Sequence, residues 1–100
     1  MNYKVKTNYE QMTLGITVQC QFEVKVRIKV FDAQKPKTVF TNRYKTCRGQ
    51  QKFFVRMPLT PEEIIISIYD DADGNINNTK DKNIRVLSIK KLGLEKRMDE

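Results

Sequence analysis

A chain of 100 residues supports one domain around one core, and its 39% hydrophobic and 31% charged content is ordinary for a globular protein. The lack of histidine excludes Ser-His-Asp and Cys-His catalysis within the chain, histidine metal sites and histidine pH sensing; without tryptophan, aromatic stacking falls to Tyr and Phe. The net charge of +7 is unevenly placed: residues 25–56 carry ten bases against Asp32 alone, whereas residues 57–81 carry six acids against Lys80, so an anionic partner is expected at the middle third.

The N-terminus lacks the basic-then-apolar layout of an export signal, and no run approaches eighteen apolar residues. The expected setting is therefore cytoplasmic or otherwise intracellular, with no transmembrane segment. Tyr3, Val5, Thr7 and Tyr9 alternate with Asn2, Lys4, Lys6 and Asn8 and predict a first strand. Residues 10–13 read as a connection.

The strongest signal follows. Leu14, Ile16, Val18, Cys20, Phe22, Val24, Val26, Ile28 and Val30 are all apolar, while the odd positions between them are polar or small. Strict alternation of this length is the period-2 signature of half-buried strand, which helical periodicity cannot imitate. Ordinary strands run about 17–20 Å, so the stretch is expected to bend or divide without losing parity, at Gly15 or at residues 19–21. Its apolar face needs a second layer, and in a chain so rich in strand signals that layer is expected to be another sheet.

Residues 32–37, with Asp32 and Pro36, supply a turn. A polar strand over residues 38–44 has the composition of a sheet edge, and Cys47-Arg48-Gly49-Gln50 reads as a turn. Phe53, Val55, Met57 and Leu59 alternate again until Pro58 and Pro61 close the run. Pro61-Glu62-Glu63 resembles a helix start, but the β-branched run over residues 64–69 has the character of a strand buried on both faces. A polar loop over residues 70–81 precedes a last strand over residues 83–92. With the central stretch divided, this predicts an all-β, antiparallel two-sheet sandwich of about seven strands, C2-like or immunoglobulin-like, occupying residues 1–93. Residues 94–100 are strong helix formers in too short a run, expected to be a helical or disordered tail, a linker or the start of a following domain.

Two groups of residues are candidate sites. In the polar loop, oxygens at Asp71, Asp73, Asn75 and Asn77 could converge on calcium, which takes six to eight oxygen ligands. The spacing is not that of an EF-hand, since the sixth position from Asp71 is Ile76 and the twelfth is Lys82. Asp73-Gly74 and Gly74-Asn75 equally suit a hairpin turn. The second group is basic: Lys25, Arg27 and Lys29 share one sheet face by alternation, and Arg43, Lys45, Arg48 and Lys52 are expected to extend it toward an anionic surface. The plainer reading of that face is a solvated one that keeps the sheet from pairing. Tyr44, Phe54 and Phe31 are candidates for exposure but predict no stacking platform.

Around the acidic loop the chain resembles C2 domains. Phe54-Val55-Arg56-Met57-Pro58, residues 64–70, the loop itself, and Asn83-Ile84-Arg85-Val86-Leu87 on to Leu92 are similar to the second half of that family, where an apolar strand ends in an Asp-x-Asp calcium loop and a final strand follows. The resemblance covers the last half of the chain. It implies an eight-stranded sandwich that docks on acidic phospholipid, often through calcium, with Asp71 and Asp73 as loop carboxylates. The family's earlier calcium loop, with paired aspartates and an Asp-Pro-Tyr run, has no counterpart here beyond Asp32.

Other arrangements fail. Four scattered glycines make no phosphate loop, there is no CxxC, and Glu62 and Glu63 would point to opposite faces of a strand. Cys20 belongs to the core face; Cys47, beside Arg48 and Lys45 but without a histidine base, reads as an unreactive loop thiol. The expectation is a non-enzymatic binding or assembly module, as an accessory domain of a larger protein, a calcium-dependent binder of anionic membrane, or a structural component of a virion or surface assembly. A protein partner or neighbouring domain leads the expected partners, with anionic lipid or nucleic acid as rivals and calcium the one cofactor in question.

Overall fold

A computed structural model describes residues 1–7, 11–57, 60–71 and 84–92. Among these the chain is all strand: β1 (Asn2–Lys6), β2 (Met12–Asp32), β3 (Val39–Met57), β4 (Glu63–Asp70) and β5 (Ile84–Leu92). Every pairing is antiparallel and hydrogen bonds join all five into one sheet, in the order β1-β4-β2-β3 with β5 also on β2. None of the described residues forms a helix long and apolar enough to cross a membrane.

Seven expected strands become five among the described residues because two expected breaks do not occur. The 14–30 stretch stays one strand, and residues 47–50 are strand rather than turn. At about 3.3 Å per residue, the 21 residues of β2 would extend to roughly 70 Å. The molecule is only 39 Å in its longest dimension, so β2 and β3 both bend. The bend is visible in the register: Cys20 pairs with Gly49 and Val24 with Cys47, leaving residues 21–23 of β2 opposite Arg48 alone. Two surplus residues preserve parity, so Val24 returns to the face that Cys20 left. Gly49 takes a φ of 71°, which a residue with a Cβ adopts only at a cost, and so absorbs the bend on β3 without ending the strand.

The bend divides the sheet into two halves with different neighbours. Residues 24–32 of β2 lie between β4 and the first half of β3, with β1 beyond β4; residues 12–20 lie between β5 and the second half of β3. Side chains from both halves enter one apolar cluster: Leu14, Ile16, Val18, Val26, Ile28 and Val30 of β2, Val55 of β3 and Ile64, Ile66 and Ile68 of β4 are all completely or almost completely buried. Each such side chain contributes about 1.5–3 kcal/mol on burial. Phe22 is the exception to the alternation. It sits in the bulge and is 60% exposed rather than inward-facing. In β4 the even positions Ile64, Ile66 and Ile68 are fully buried, Ile65 and Ser67 on the other face are half-buried, and Tyr69 on that face is buried, so one face is covered completely and the other in part.

Several bonds tie the two halves and the chain's N-terminal end together. Lys91 Nζ of β5 donates to the Lys6 carbonyl of β1 at 3.1 Å, Thr7 N–H donates to the Glu62 carbonyl at 2.8 Å, and the Thr7 hydroxyl donates to the Pro61 carbonyl. Thr7 is fully buried, and these two bonds satisfy its N–H and its hydroxyl. Tyr9, at the end of the expected first strand, Leu59, at the end of an expected later one, and the 94–100 tail lie outside the described residues.

Candidate anion-binding cleft

β3 carries Arg43, Lys45, Arg48, Lys52 and Arg56 and no acid. It is an edge strand on both sides of its bend, since it pairs with β2 alone among the described residues. Cross-strand partners share a face, so the register shows where its cations point. Ile28 is paired with Ile68 of β4 on one side and Arg43 of β3 on the other; Val26 is paired likewise with Asp70 and Lys45. On crossing β2 the core face thus passes from Ile68 and Asp70 to Arg43 and Lys45, two cations that lie exposed at the margin of the core.

Because β3 bends, its two halves border a cleft of about 420 Å³ lined by Arg43, Tyr44 and Lys45 from the first and Lys52, Phe53 and Phe54 from the second. Arg43 Nη2 donates to the Phe54 carbonyl at 2.5 Å, and Lys45 Nζ lies 6.0 Å from the centre of the Phe53 ring. Phe53 is buried, whereas Tyr44 and Phe54 are each 53% exposed. Among the described residues, none lining the cleft is acidic. Three cations therefore share one concavity with no carboxylate to offset them, and an anion entering it relieves their mutual repulsion. Lys52 and Phe54 also border a smaller recess on the adjoining surface, where Gly15, Thr17, Ser88 and Lys90 meet them. A Cβ at Gly15 would come within 3.2 Å of Leu92 Cδ1, so the missing side chain leaves room for Leu92 there.

The seven expected basic residues do not form one stripe. Lys25, Arg27 and Lys29 face the side opposite to Arg43 and Lys45, paired with Thr46, Tyr44 and Asn42. Tyr44 links them to the cleft, with Lys25 Nζ 4.7 Å and Arg27 Cζ 5.0 Å from its ring centre. Lys29 Nζ lies 5.7 Å from the Phe31 ring. Arg48 is exposed at the bulge, opposite residues 21–23. Arg27 is already engaged: its Nε donates to Asp71 Oδ2 at 2.8 Å and its Nη1 to Asn42 Oδ1 at 2.7 Å. Lys90 is a member of this surface that sequence reasoning missed, because β5 pairs with β2 and no short-range pattern announces that neighbour.

Of the four expected calcium ligands, Asp71 is buried, with its carboxylate on Arg27 and its N–H donating to the Lys25 carbonyl at 2.7 Å. A cation at this carboxylate would compete with the guanidinium. Asp73, Asn75 and Asn77 lie outside the described residues. No group of three or more acidic or cysteine side chains able to hold a metal occurs among the described residues.

Cys47 is a buried strand residue rather than a loop thiol. Burial pushes its thiol up despite the nearby Lys45 ammonium, and the thiol donates to the Lys45 carbonyl at 3.4 Å. Burial, with Cys47 beside it, pushes Cys20 up to about 11. Both are free thiols, held in the poorly nucleophilic protonated form. Burial likewise raises Tyr69, against the pull of Arg27.

No protein-family model, curated protein or solved structure matches this chain.

Proposed function

We propose that the chain is a non-catalytic binding module that holds a polyanionic partner along the β3 edge. The observation that carries this reading is the convergence of Arg43, Lys45 and Lys52 on a cleft whose described lining includes no acid. Inward-pointing charges on an edge strand also discourage pairing with another chain, and the two roles are compatible. The exposed Tyr44 and Phe54 rings favour binding, because solubility alone would be better served by polar side chains there.

The scaffold in this reading is a sandwich-like closure of the bent sheet. Its support is the shortness of the molecule relative to β2, the Lys91–Lys6 bond between β5 and β1, and the Arg43–Phe54 bond between the halves of β3. Such closure brings the two core faces together and leaves the β3 side as an open, basic mouth. Chromatography on immobilised heparin tests the binding role. The wild-type chain is expected to elute well above physiological salt, and the Arg43→Glu/Lys45→Glu/Lys52→Glu variant to pass through. Equal retention of the two proteins refutes the reading.

A further inference from the structure

We infer that the polyanion is a single-stranded nucleic acid and that Phe54 is the platform on which one of its bases stacks. This rests on the polyanion-binding reading and makes it more specific. Phe54 is half-exposed and borders both the cleft and the adjoining recess, with Lys52 beside it in both. A strand laid across this surface would keep phosphates near Arg43, Lys45 and Lys52, pass one base over Phe54, and reach Lys90 on the far side. Thr17 and Ser88 supply hydroxyls in the recess for phosphate or sugar oxygens.

The arrangement separates the rival anions by their chemistry. Acidic protein segments and inorganic polyphosphate match the cations but have no flat face to set on an exposed ring. In duplex nucleic acid the bases are stacked on one another, so their faces are not on offer. A membrane would press apolar groups outward from a flat or convex surface, whereas these rings border concavities. A single strand alone offers alternating charge and aromatic face, and stacking on a ring adds about 1–3 kcal/mol per base with little regard to sequence.

The test is fluorescence anisotropy of a labelled oligothymidine bound to the full chain, with polyphosphate of matched charge as competitor and phosphatidylserine-containing vesicles measured separately. Phe54→Ala is expected to weaken oligothymidine binding about 5- to 150-fold and to weaken polyphosphate binding far less. Phe54→Leu keeps the apolar bulk without the aromatic face and is expected to behave like Phe54→Ala. Lys52→Glu is expected to weaken both ligands. If polyphosphate competes as well as oligothymidine, or Phe54→Leu binds like the wild type, base stacking is overturned while the polyanion reading stands. Vesicle binding that exceeds oligothymidine binding and is lost in Phe54→Ala overturns the inference in favour of lipid. Absence of binding to every anion removes the inference and the parent reading together. Melting temperatures of both Phe54 variants close to the wild type confirm that the fold is intact in each comparison.

Discussion

β4 and the first half of β3 flank the same stretch of β2, yet they complete it in opposite ways. Against Ile28, β4 sets Ile68; β3 sets Arg43. On the β4 side the core face holds the fully buried Ile64, Ile66 and Ile68 and ends at Asp70, while on the opposite face Arg27 of β2 is met by the carboxylate of Asp71. On the β3 side cations stand at equivalent register positions and none of the described cleft residues is a carboxylate. The lateral division follows the charge division of the sequence, with bases gathered over residues 25–56 and acids over residues 57–81. In the proposed reading, one side of β2 serves stability and the other meets a partner.

That contrast is sharpened by substituting both sides of one register pair. Ile28→Ala is expected to cost about 2–5 kcal/mol in urea denaturation, whereas Arg43→Thr on the adjacent strand is expected to change stability by less than about 0.5 kcal/mol while weakening polyanion binding. A comparable loss from Arg43→Thr would move β3 into the stabilising half of the comparison. The next effect belongs to the closed side. Asp71→Ala, which leaves the partly buried Arg27 guanidinium without its carboxylate, is expected to cost about 1–3 kcal/mol, and to do so in calcium-free buffer. A loss seen only with calcium present would assign the carboxylate to metal instead.

Smaller still is the effect at the bend both sides share. Gly49→Ala places a Cβ where no atom lies within 4 Å, so its penalty is that of the positive φ alone, about 1–2 kcal/mol. The last stability effect is silent at neutral pH. Cys20 is raised to about 11 in the fold from an ordinary value near 9, so its contribution is complete below pH 9 and is lost as pH rises toward 11. Urea midpoints are expected to fall over that window more steeply in the wild type than in Cys20→Val. Parallel curves would show that the thiol is not held in the buried, neutral state.

The core was the most legible feature, because alternation needs no knowledge of neighbours: of the nine apolar even positions between 14 and 30, only Phe22 fails to turn inward. Its failure is local, since residues 21–23 face one residue of β3; the expected bend at residues 19–21 falls next to this slip, but alternation alone does not say which side chain the slip turns outward. The Cys47–Gln50 segment has turn composition, but a positive-φ glycine can bend a continuing strand as readily as it can close a turn. The placement of the basic residues was legible only in part. Parity alone places Lys25, Arg27 and Lys29 together, and composition marks Arg43, Lys45 and Lys52 as basic. What parity within one strand cannot give is the pairing between strands, which puts Arg43 and Lys45 on the face opposite to Arg27 and brings Lys90 alongside Lys52.

The central claim, that the β3 edge is where the molecule meets its anion, is tested most directly by the salt dependence of polyphosphate binding in Lys52→Glu set against Lys4→Glu, a reversal of the same charge at an exposed position of β1. Three contacts at the cleft predict a slope of log affinity against log salt of about −2. The expected result is a shallower slope and weaker binding for Lys52→Glu and a line close to the wild type for Lys4→Glu. Equal weakening by the two reversals would mean that net charge, rather than the cleft, attracts the anion, and would contradict the account.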